Sequence, residues 1–141
     1  MNIARTLTSC ASLLLVTGCS QHLSVEPGLN GASDYCTELS QSLPVEISGE
    51  LVRTTTASDR GVTAWGDPAI VLRCGVEAPM SLQPTSQLIS VNGVDWLPEE
   101  LTQGQRFTTM NTTEFVEVNI PSNYESPSGI LVDLADAFPI N

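Results

Sequence analysis

Four cysteines, at positions 10, 19, 36 and 74, constrain this chain more than any other feature. Their positions decide which of them can staple a fold. Met1 to Arg5 is a short, weakly basic start, and residues 7–16 are apolar or small. Such a run is too short to span a bilayer as a mature helix and has the build of a secretory signal peptide. Cys10 lies inside it and is expected to leave with it.

The apolar run ends Val16-Thr17-Gly18-Cys19. An aliphatic residue, two small residues and a cysteine are similar to the bacterial lipobox. Small residues let the chain enter a narrow peptidase site, and the thiol accepts a diacylglyceryl group. Residues 1–18 are therefore expected to be a lipoprotein signal peptide, with Cys19 as the lipidated, palmitate-type anchor. Two or three acyl chains hold a protein stably on a membrane where a single chain is marginal. The expected location is the outer face of the cytoplasmic membrane.

Cys36 and Cys74 remain. In an exported chain two leftover cysteines read as one disulfide. It would close a loop of 39 residues, worth about 4 kcal/mol on chain-entropy grounds. A reactive thiol or a metal-binding pair is the alternative. The body holds no histidine or further cysteine to complete a zinc site, which favours the bridge and an expectation of no metal and no cofactor.

Residues 19–32 include Pro27, two glycines and small polar residues without apolar period. They read as a flexible tether with a reach of roughly 20 Å. Acids outnumber bases 16 to 5 for a net charge of −11, so anionic headgroups should repel the body. All five bases are arginine. Nucleic acid is excluded as a partner, since a non-specific binder needs a dense basic face.

Residues 33–141 read as a single globular domain. Tyr35, Cys36, Leu39 and Leu43 share one helical face, with Ser33 or Asp34 as cap and Pro44 as stop. Ser126 and Pro127 open a second helix whose apolar stripe runs Ile130, Leu131, Leu134, Ala135, Phe138. Between them the pattern is β: Val45–Arg53, Thr63–Trp65, Ile70–Val76, Gln105–Met110 and Glu114–Ile120. A hairpin turns at Asn92-Gly93. The expected fold is α+β: an amino-terminal helix, an antiparallel sheet of four to six strands, and a carboxy-terminal helix packed on one face.

Chemistry is sparse. Without histidine in the body there is no Ser-His-Asp or Cys-His device, and without lysine no Schiff base. Glu99-Glu100 follows Pro98 in what reads as a polar turn, where a solvated pair is the default. No catalytic residue is assigned. The less routine grouping is Trp65, Asp67, Arg73, Trp96 and Arg106, a possible ligand or partner surface. Against it stands core packing for both tryptophans and an ion pair from Arg73 to Asp67 or Asp95.

The run Thr63-Ala64-Trp65-Gly66-Asp67-Pro68-Ala69-Ile70-Val71-Leu72-Arg73-Cys74-Gly75-Val76 resembles the actinobacterial family of domain of unknown function 3515. So do Val91 to Trp96, Phe107 to Thr109, Val116 to Pro121 and the upstream Cys36, together covering about residues 33–138. Where members often carry a Gly-Arg pair, this chain has Asn111-Thr112. The resemblance implies a secreted or membrane-associated envelope protein and no activity. The expectation is thus a non-enzymatic envelope lipoprotein, a binding or accessory module for an envelope protein or cell-wall precursor. Its rivals are an acid-only hydrolase or transferase of wall glycans and a purely structural stabiliser of a membrane complex.

Overall fold

The computed structural model describes residues 21–139. The expected signal peptide, Cys10 and the expected lipidation site Cys19 lie outside them. Helix α1 spans Asp34–Ser42 and helix α2 spans Pro127–Ala135. Eight strands lie between: β1 Glu46–Ile47, β2 Glu50–Arg53, β3 Val62–Trp65, β4 Ile70–Val76, β5 Ile89–Val91, β6 Val94–Leu101, β7 Gly104–Thr109 and β8 Phe115–Pro121. They form one open antiparallel sheet in the order β1-β2-β3-β4-β8-β7-β6-β5. Two meanders therefore meet at the central pair β4 and β8, and the link from β4 crosses to the far edge.

The strand number is eight, not four to six. Val45–Arg53 splits into a hairpin at Ser48-Gly49, both with positive φ (50° and 81°). That conformation matches the twist of a two-residue β-turn. Pro98 does not start a turn either. It sits inside β6 opposite Phe107 of β7. Having no N–H, it points its nitrogen towards the β5 side, and β5 pairs only as far as Trp96.

Both caps form as the residues dictate. The Ser33 hydroxyl accepts from the Cys36 amide at 3.2 Å, and Ser126 accepts from Gly129 at 3.3 Å. Helix α2 is not laid across one face of a flat sheet. It touches both β1 and β5, the two edge strands. Eight flat strands would span roughly 34 Å, whereas nine helical residues are about 14 Å long. Only a curled sheet brings its edges to one such helix. The core fills the concave side: Trp65, Leu72, Trp96, Val116 and Val118 pack with Leu39, Ile130, Leu131 and Leu134. Trp96 meets Phe138 edge-on, with ring centroids 5.4 Å apart.

Residues 21–33 are not a free tether. Leu23 forms a parallel bridge to Thr55, donating to Thr54 O and accepting from Thr56 N, both at 3.0 Å. Further on, the Asn30 amide donates to Gly75 O at 3.0 Å. Composition marked this stretch as flexible, yet its glycines are what let it lie flat on the body. A Cβ at Gly28 would stand 2.5 Å from Cys74 O. Gly75 has φ +72°, and a Cβ there would strike the Asn30 carbonyl. We expect Gly75→Ala to cost about 2 kcal/mol or more, because it adds left-handed strain to that collision. The amides of residues 23–31 should then exchange hydrogen faster than in the parent. Unchanged protection would show that the strap does not depend on this contact.

Candidate functional site

In β4, Ile70, Leu72 and Cys74 point into the core, so Arg73 points out through the convex face. The same alternation in β8 turns Val116, Val118 and Ile120 inward and Glu117 and Asn119 outward. The register places Arg73 opposite Glu117 and Arg106 of β7 opposite Asn119. Four polar side chains from three adjacent central strands thus meet on one patch.

Glu117 is its centre. Its side chain is only 10% exposed. Arg73 Nη1 donates to Oε1 at 3.0 Å, and Asn119 Nδ2 donates to the same oxygen at 3.1 Å. Arg106 Nε lies 3.7 Å from Oε2 and donates to Asn119 Oδ1 at 3.0 Å. Two guanidinium groups share one carboxylate, which leaves donors over for a further acceptor. Arg73 Nε is buried without a partner. Strand geometry fixes all four positions, so an incoming ligand finds them already ordered.

The crossover from β4 roofs this patch. Together they enclose a depression of about 490 Å³, lined by Arg73, Arg106, Glu117, Thr108, Glu99 and the Glu77–Ser81 segment. Glu99 accepts from the Ser81 hydroxyl at 2.6 Å, and its second oxygen is buried without a partner. Glu100 is the next residue of β6, so the pleat sends it to the opposite face. Both residues border a second depression beside Ser81, Ser86 and Leu97, but their side chains leave the strand on opposite faces.

Of the five residues singled out from sequence, the structure brings together two, Arg73 and Arg106. Trp65 and Trp96 are fully buried in the core, and the Trp65 indole donates to Pro44 O at 2.9 Å. Asp67 lies apart on the surface, 3.7 Å from Arg53. Arg73 pairs with neither Asp67 nor Asp95, because strand register gives it Glu117. Glu117 and Asn119 were legible only as the polar half of an alternating strand. Asn111 is structural: its side chain accepts from Asp95 N and donates to Gly93 O, both at 2.9 Å.

Cys36 and Cys74 form a disulfide with Cα atoms 5.6 Å apart, joining α1 to β4 beneath the strap. Among the described residues, no cluster of three or more His, Cys, Asp or Glu side chains could hold a metal ion. No described helix is long and apolar enough to cross a membrane.

Curled antiparallel sheet, stapled helix and charged convex patch together define a small disulfide-bonded α+β domain with a polar depression. The chain belongs to the family described as Protein of unknown function (DUF3515), which matches residues 20–139. That span takes in the strap as well as the sheet. No curated protein and no solved structure matches the chain at a significant level.

Proposed function

We propose that this protein is a cell-envelope lipoprotein, anchored through Cys19 at the outer face of the cytoplasmic membrane, whose body binds rather than catalyses. The observation that carries the second half is the occupancy of Glu117. Both its oxygens are committed, one to Arg73 and Asn119 and the other to Arg106. Glycan hydrolysis by acids alone needs two working carboxylates facing each other. Of the other carboxylates lining the depression, Glu77 is exposed at its mouth, and Glu99 is the one with a buried, uncommitted oxygen. Fixed donors beside that oxygen suit recognition of a polar ligand, of the kind a cell-wall precursor or envelope protein presents.

Cys19→Ala should move the protein from the membrane fraction to the soluble one; unchanged retention would refute the anchor. Titrating the soluble variant with muropeptides should shift the Arg73 and Arg106 side-chain resonances without consuming the peptides. Product formation that Glu99→Gln abolishes would replace binding with the acid-only hydrolase.

A further inference from the structure

The strap fixes more than the amino-terminal residues themselves. Leu23 pairs in parallel with Thr55. β3 takes the other side of that strand, with Arg53 opposite Ala64. Leu23 therefore lies on the side that β1 occupies further back, where Val45 O accepts from Val52 N at 2.8 Å. Because the pairing is parallel, going backwards from Leu23 means running from the level of Thr55 towards that of Val52. The chain upstream of Leu23 thus heads for the start of β1. Val45 is 72% exposed, Leu51 66% and Val52 46%. Leu23 and Val45 are about 10 Å apart along this edge, since the residues they pair with differ by three strand positions. Cys19 is four positions before Leu23, so their Cα atoms stand no more than about 14 Å apart.

We propose that the β1–β2 edge, with Val45, Leu51 and Val52, is the face this protein lays against the lipid surface. The inference rests on the lipoprotein reading of Cys19 and adds an orientation to it. A body tethered by fourteen flexible residues could turn freely. With residues 21–33 folded onto the domain, the leash is too short for that. Glu46 and Asp67 are exposed near this edge, and Arg53 answers Asp67 at 3.7 Å. Charge therefore does not attract this edge to anionic lipid. Leash length and apolar side chains hold it there against a modest repulsion.

The test uses the full lipidated chain, purified from membranes and placed in phosphatidylcholine–phosphatidylglycerol vesicles carrying a headgroup nitroxide quencher. A fluorophore goes on Val52→Cys or, for comparison, on Thr113→Cys. Thr113 is exposed in the β7–β8 turn, three strands away in the sheet order. Val52 should be quenched several-fold more than Thr113. Inserting about twelve Gly/Ser residues after Ser20 should remove the difference, since such a linker reaches roughly 20 Å. Leu51→Cys repeats the measurement should Val52→Cys misfold. The mass of the amino-terminal peptide reads the anchor separately. Equal quenching at both sites with acyl chains present overturns the orientation and leaves the lipoprotein reading standing. So does crosslinking through residue 52 between two copies, which would assign the edge to a dimer. An unmodified terminus overturns both.

Discussion

Cys36→Ala and Cys74→Ala should each lower stability by about 4 kcal/mol, and the double variant should lose no more than either single one. The bridge spans 38 sequence positions, and constraining a loop of that length in the unfolded chain is worth about this much. For a domain of this size the loss corresponds to a fall in Tm of roughly 15 °C. The native state adds its own reason. Helix α1 has nine residues, too few to persist unaided, and both cysteines are completely buried. Breaking the bond leaves α1 held only by its packing and the Ser33 cap. Additive losses in urea denaturation would mean that each cysteine stabilises by packing and that the bond contributes little.

What could be read from sequence follows from the range of the forces involved. Both helices were legible because their signals are local: Ser33 and Ser126 cap, Pro127 opens, and the apolar stripes repeat at helical period. β4 and β8 were legible from Ile70, Leu72, Val116, Val118 and Ile120. Pairing between distant strands was not. Arg73 looked equally ready for Asp67 or Asp95, and only the β4–β8 register assigns Glu117 to it. The charged patch is a product of that register, so no spacing in the sequence announces it. The strap misled for a related reason. Gly28 and Gly31 mark a loop by composition, but here they permit close backbone approach to Cys74 and Arg60. Glycine signals flexibility and tight contact with the same letter. The curl of the sheet was equally hidden, since nothing local tells α2 that both edges will reach it.

Removing Glu117 should separate what holds the patch from what the patch offers. Glu117→Ala takes away the one carboxylate that two guanidinium groups share, leaving the Arg73 side chain, 28% exposed, without the partner it has now. Leaving a partly buried charge uncompensated costs about 2–3 kcal/mol, less than for a fully buried pair because solvent still reaches Arg73. Arg106→Ala should cost below about 1 kcal/mol, since that side chain is 35% exposed and such pairs contribute little. Replacing both partners at once, with Glu117→Leu and Arg73→Met, should recover most of the Glu117→Ala loss, because the one cation then left without that carboxylate is Arg106, which is 35% exposed and still bonds Asn119. Urea denaturation of the three variants beside the parent reads the set. If Glu117→Ala instead falls within about 0.5 kcal/mol of the parent, as an ordinary surface change does, water already screens the patch. The convex face would then be a solvated sheet surface, and the ordering of Arg73 and Arg106 for a ligand would lose its physical basis.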